Sequence, residues 1–180
     1  MSGPSPFRAD LMAGKRVLVT GGGTGLGMAV SRRMAELGAS VVICGRRKEV
    51  LEETARTLSV ETGHAVTPIV CDIRDAAQVE AMLDAIWAEA PLDILVNNAA
   101  ANFIARSESL SPRAFDAIVS ISLNGNAYCA LGAGRRWIAA GRAGSILNVL
   151  AAGVANGRAY TVPLTMSKAA LLAMTRSLAV

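Results

Sequence analysis

Aromatic side chains are scarce in this sequence. Two Trp, two Tyr and three Phe make up 4% of 180 residues, while hydrophobic residues reach 52%. A core of that composition must be closed by Ala, Val, Leu and Ile, which suits buried parallel strands. Cysteine is also sparse. Cys44, Cys71 and Cys129 are odd in number and form no C-x-x-C pair. A disulfide framework is therefore not expected, and the three read as reduced core thiols of a cytoplasmic protein. The one histidine, His64, follows Gly63 in a helix–strand connection and reads as a solvated loop residue, so no metal site is predicted. No apolar run reaches the roughly 18 residues of a membrane span. Met1 to Gly14 lacks the apolar stretch of a signal peptide. The net charge of +4 is scattered, with no basic run interleaved with aromatics, which argues against a nucleic-acid partner.

What is present is an alternation of strands and helices. Gly3, Pro4 and Pro6 mark residues 1–14 as a loose arm, and residues 15–180 are long enough for one buried core. Apolar runs predict strands at Arg16–Thr20, Ser40–Cys44, Ala65–Cys71, Asp93–Val96 and Gly144–Val149. Between them run helical patterns. The first starts at Gly25, places Leu26, Val30, Met34 and Leu37 on one face, and stops at Gly38. The second covers Lys48–Thr62, with Leu51, Ala55 and Leu58 inward. The third is capped by Asp75, with Val79, Met82, Leu83 and Ile86 inward. Pro112–Ala140 reads as one long or two shorter helices. Pro163–Val180 is a last helix with Ala170, Leu171, Met174 and Leu178 as its stripe. The order implies an α/β fold, a doubly wound parallel sheet of Rossmann type in three α/β/α layers.

The glycine-rich stretch Val19-Thr20-Gly21-Gly22-Gly23-Thr24-Gly25-Leu26-Gly27 joins the first strand to the first helix. Glycines let the backbone turn tightly and approach a pyrophosphate, and free N–H groups at the helix start face the anion. Gly21, Thr24, Gly25, Leu26 and Gly27 are thus candidate cofactor contacts. An acidic residue after the second strand would suit an unphosphorylated ribose. The sequence has Gly45-Arg46-Arg47-Lys48 instead. Cations there oppose the helix dipole and suit a 2′-phosphate, so Arg46 and Arg47 point to NADP(H).

Thr20-Gly21-x-x-x-Gly25-x-Gly27, Cys71-Asp72-Ile73, Asn97-Asn98-Ala99-Ala100, Leu123-Asn124-Gly125 and Lys168 together resemble the short-chain dehydrogenase/reductase family. The resemblance runs from about Gly14 to the end. It implies cofactor contacts at Asp72, Ile73, Asn98, Ala99, Ala100 and Lys168, with Lys168 also catalytic and Asn124 as the helix Asn supporting the active site. A narrower resemblance, to 2,4-dienoyl-CoA reductases, rests on Asn97 to Phe103, Cys44-Gly45-Arg46-Arg47, Cys71-Asp72-Ile73-Arg74-Asp75 and Ala173 to Ala179. It implies hydride transfer to an unsaturated acyl-CoA in fatty acid metabolism. Asn102 would hold the thioester oxygen as it becomes enolate-like, a point where donors matter most. Arg74 and Phe103 are candidate substrate contacts. The family also implies a homo-oligomer, and its members continue past the final helix, so the fold is expected to lack the last strands.

The resemblance breaks where the chemistry should be. The family's usual Tyr and Ser positions hold Leu164 and Ala151, and the dienoyl-CoA reductase Tyr position holds Gly153. The alternative is a family member that binds nucleotide with impaired catalysis. Tyr160, eight residues before Lys168 and ahead of Pro163, reads as a surface or packing residue.

Overall fold

The computed structural model describes residues 6–180. The first five residues of the expected arm lie outside the described residues. Nearer the fold the arm is tied down, because Met12 N donates to Leu37 O at 2.8 Å.

Five strands form one sheet: β1 (Arg16–Thr20), β2 (Ser40–Gly45), β3 (Val66–Val70), β4 (Ile94–Asn97) and β5 (Ser145–Asn148). All pair in parallel in the order β3-β2-β1-β4-β5. The order reverses between β1 and β4, which opens a crevice at their carboxyl ends. The helices are α1 (Gly25–Glu36), α2 (Lys48–Thr62), α3 (Ala76–Glu89), α4 (Pro112–Val119), α5 (Asn126–Ala139), the short α6 (Gly153–Asn156) and α7 (Val162–Leu178). Among the described residues, no helix is long and apolar enough to cross a membrane.

Alternate strand residues serve opposite faces, and each face has its own helices. Val17, Val19, Val41, Ile43 and Val96 meet Ala35 of α1 and Leu51, Ala55 and Leu58 of α2. Leu18, Val42, Cys44 and Leu95 meet Val79, Met82, Leu83 and Ile86 of α3 and Cys129, Ala133 and Trp137 of α5. Each fully buried Leu or Ile contributes about 1.5–3 kcal/mol relative to exposure. Asp75 caps α3 as expected, accepting from Ala77 N and Gln78 N. Gly63 ends α2 in the left-handed region at φ 72°.

Two apolar faces differ from the sequence pattern. Helix α1 buries Gly27, Ser31 and Ala35, and Leu26 is exposed. Small residues let α1 lie close to the sheet, with Met28, Val30 and Met34 only partly buried beside it. In α7 Leu171 is buried but Leu178 is exposed, bordering an open groove with Ile146 of β5 and Leu131 of α5. Residues 112–139 run continuously, with a π-helical turn at Ser120–Gly125 joining α4 to α5.

Candidate functional site

A cleft of about 360 Å³ opens at the carboxyl ends of β1, β2 and β4. Its floor is the glycine turn. Gly21 has φ 67°, a conformation that L side chains avoid. A Cβ on Gly27 would lie 2.2 Å from Gly21 O and 2.6 Å from Asn98 Nδ2, so only glycine fits there. The turn is braced from β4. Asn98 Nδ2 donates to Thr20 O at 2.8 Å, and the Asn98 and Ala99 N–H groups both donate to Thr20 Oγ1 at 3.0 Å. The Asn98 side chain therefore holds the turn that would receive the pyrophosphate.

The walls contain most of the predicted cofactor residues. Gly21, Thr24, Leu26 and Gly27 come from the turn and α1, and Arg46 and Arg47 from the end of β2. Asp72 and Ile73 come from the end of β3, and Ala99 and Ala100 from the end of β4. The exposed Leu26 is explained by this position: it lines the cleft rather than the core. Gly25 starts α1 at φ 54° behind the lining. Arg47 Nη2 donates to Thr24 Oγ1 at 3.4 Å, which carries its guanidinium across the cleft mouth.

Arg74 pairs with Asp72 at the end of β3, with its side chain still partly exposed. Its Nε donates to both Asp72 carboxylate oxygens at 2.9 Å, and Nη2 also contacts Oδ2. Only two residues separate the pair, so the loop geometry itself brings them together. The bonded guanidinium holds the Asp72 carboxyl below its ordinary pKa, with Arg46 adding to the effect.

Asn124 is also displaced from its expected role. It is exposed, whereas Ser122 and Asn126 on the same turn are fully buried. Asn126 Nδ2 donates to Ala99 O at 2.9 Å and to Ser122 O at 3.0 Å. Ser122 Oγ accepts from Ala101 N at 3.0 Å and donates to Ala101 O at 3.2 Å. Ser122 and Asn126, four residues apart, share the inner face, and Asn124 between them lies on the opposite side. Asn97 continues the network, donating to Asn126 O at 3.0 Å and to Asn148 Oδ1 at 2.9 Å. Sequence reasoning missed Thr20, Asn97, Ser122, Asn126 and Asn148 as a polar frame.

Lys168 is 3% exposed, and its Nζ has no hydrogen-bond partner among the described residues. Burial lowers its pKa. A buried ammonium without a partner is costly, so it marks a place where an external oxygen would be bound. The glycine-only cradle and the guanidinium at the cleft mouth fit a dinucleotide, while Lys168 is not among the residues that line this cleft. Asn102 and Phe103 lie exposed in the loop after β4. Leu164 and Gly153 occupy the segment around the start of α7, and the site of a Cβ on Gly153 is 3.2 Å from Thr165 Oγ1. All three thiols are buried, and His64 is exposed at the opposite end of the sheet. Among the described residues, no cluster could hold a metal ion.

The short chain dehydrogenase family profile matches residues 15–180. The chain belongs to the short-chain dehydrogenase family. An uncharacterized oxidoreductase of Caenorhabditis elegans is 44% identical over 92% of this chain and 54% of its own length. A probable 2,4-dienoyl-CoA reductase of the same organism is 42% identical over 97% of this chain and 58% of its own length. The chain thus spans little more than half the length of these relatives. A solved short chain dehydrogenase from Bacillus anthracis has a TM-score of 0.86 and 36% identity, covering 92% of this chain and 68% of that one.

Proposed function

We propose that this protein is an NADP(H)-dependent reductase that transfers hydride to an unsaturated acyl-CoA. The observation that carries the reading is the arginine pair at the end of β2, with Arg47 reaching the glycine turn at Thr24. In that position the guanidinium groups would pair with a 2′-phosphate. The glycine turn would bind the pyrophosphate, Lys168 the nicotinamide ribose, and Asp72 with Ile73 would flank the adenine. Bound there, the cofactor supplies hydride to an acceptor held close and in line.

The acyl-CoA part of the proposal is supported by relatives named as 2,4-dienoyl-CoA reductases and by Asn102. The Asn102 side chain stands exposed in the loop after β4, and Ser122 clamps the preceding residue on both its N–H and C=O. An amide N–H so placed would stabilise the thioester oxygen as negative charge grows on it. Phe103 would adjoin the same substrate. Exposed Leu131 and Ile138 of α5, which border a groove with Ile146 of β5 and Leu178 of α7, support a homo-oligomer within the same proposal.

The test is NADPH oxidation with a 2,4-dienoyl-CoA. Turnover that fails with NADH is the expected result; absence of turnover overturns the reading. The second reading, nucleotide binding with impaired catalysis, is favoured by Leu164, Ala151 and Gly153. It predicts NADPH binding without turnover, and a gain of activity on Gly153→Tyr with Leu164→Ser.

A further inference from the structure

Among the described residues, Tyr160 is the only non-glycine with positive φ, at 64°. A ring-bearing residue resists that conformation, and such strain persists only where its surroundings enforce it. Here they do. Thr161, next in the chain, is buried; its Oγ1 donates to Arg158 O at 3.0 Å and pairs with Thr165 Oγ1 of α7 at 3.2 Å. The Tyr160 carbonyl itself accepts from Ala105 N at 3.4 Å. Ala105 ends the short loop that carries Asn102, and Ser122 pins the other end of that loop at Ala101. The strained peptide therefore joins the start of the Lys168 helix to the Asn102 loop. Tyr160 as a whole is half exposed, at 49%. The other phenol, Tyr128, packs against the core on α5.

We infer that the Tyr160 hydroxyl delivers the proton that completes the reduction, in place of the groups lost at Leu164, Ala151 and Gly153. The inference rests on the proposed dienoyl-CoA reading. In that reaction a bound dihydronicotinamide would supply hydride to the far carbon of the conjugated system. The π electrons shift toward the thioester, and the oxygen becomes enolate-like beside Asn102. The enolate then collapses, a carbon takes the phenolic proton, and the O–H bond of Tyr160 breaks to leave a phenolate. Solvent returns that proton. The sum is one hydride and one proton added across the substrate, with the dihydronicotinamide oxidised. A phenol is a competent acid for such a step, and positioned proton donors contribute about 10²–10⁴-fold.

The experiment compares the wild-type protein with Tyr160→Phe. Expected is a fall in kcat on a 2,4-dienoyl-CoA of about 10²–10⁴-fold, with NADPH affinity and melting temperature unchanged. A second measurement is independent of turnover. With tyrosine labelled by ¹³C at Cζ, the resonance lost in Tyr160→Phe is assigned to Tyr160; it should move on adding a saturated acyl-CoA, while that of Tyr128 stays. Wild-type turnover with Tyr160→Phe within about threefold, and an unmoved resonance, overturns this role alone. No NADPH oxidation by the wild type overturns the dienoyl-CoA reading, and this role with it.

Discussion

Replacing Lys168 by Met removes the ammonium and keeps the length of the side chain. Lys168 Nζ is buried without a partner among the described residues, so the folded protein bears its desolvation. An unsatisfied buried polar group costs about 1–3 kcal/mol. The variant without cofactor should therefore be more stable by about that amount. For a chain of this size each kcal/mol moves Tm by about 2–4 °C, so the expected rise is about 2–12 °C. Cofactor reverses the order. Charge-assisted hydrogen bonds contribute about 1.5–3 kcal/mol, so NADPH should bind the variant about 10–150-fold more weakly. At one hundred times its Kd, NADPH stabilises the wild type by about 2.7 kcal/mol. At the same concentration the variant gains only about 0.3–1.4 kcal/mol.

Calorimetry with and without NADPH measures both effects, and pH gives the sign. Burial lowers the folded pKa of Lys168, whereas the unfolded value is about 10.4. Between the two the unfolded chain binds more protons, so wild-type stability rises with pH. The variant's advantage is full below the folded pKa, shrinks through that window and levels off above it. A cofactor-free variant that melts below the wild type refutes the reasoning, because the amine would then be satisfied within the fold.

Three further outcomes are expected. Arg46→Ala with Arg47→Ala should weaken NADPH about tenfold or more and leave NADH within about twofold, by fluorescence titration; an unchanged NADPH/NADH ratio contradicts the 2′-phosphate assignment. Gly27→Ala places a methyl 2.2 Å from Gly21 O, so urea denaturation should show a loss of about 1–3 kcal/mol and titration a weaker cofactor; wild-type affinity in this variant would move the binding site elsewhere. Burial pushes the Cys71 thiol up to about 11 and that of Cys129 to about 12, and raises Cys44 well above the ordinary range. Iodoacetamide at mildly alkaline pH should therefore label the native chain slowly and the urea-unfolded chain fully, read by mass spectrometry; rapid native labelling counts against this packing.

The sheet was legible because its signals are local. β1 spans Arg16–Thr20 and α2 spans Lys48–Thr62, each bounded by the residues the pattern marked. The inward face of α3 was legible for the same reason: its large residues repeat at helical spacing and all pack on one sheet face. The α1 face was not, since Gly27, Ser31 and Ala35 carry little hydropathy and are buried for closeness rather than size. Asn124 shows a second limit. Ser122 and Asn126, four residues apart, face inward and leave Asn124 outside, which the motif Leu123-Asn124-Gly125 read alone does not reveal. The polar frame of Thr20, Asn97 and Asn126 was hidden by a third cause. A strand pattern reports burial, and it does not report that a buried side chain at the strand end joins two loops by hydrogen bonds.

The cofactor cleft and the segment from Ala151 to Thr165 differ in what else depends on them. The cleft is made from the ends of β1, β2 and β4, whose residues Val19, Ile43 and Val96 also form the core. A change there loosens both binding and fold, which keeps the two coupled. Residues 151–160 are partly or fully exposed, and α6 buries none of its side chains. A substitution at Gly153 therefore disturbs little buried surface, whereas Leu164 lies on α7 beside buried Pro163. The strained Tyr160 is the exception, held by Thr161 and by the Asn102 loop at a stability cost. Tyr160→Gly tests that cost: relief of a left-handed conformation should raise stability by about 1–2 kcal/mol, measured by urea denaturation. A gain in stability shows that the fold bears the strain; turnover falls in any case, because the substitution also removes the hydroxyl. A loss of stability means instead that the ring is held by packing, and the strain carries no functional meaning.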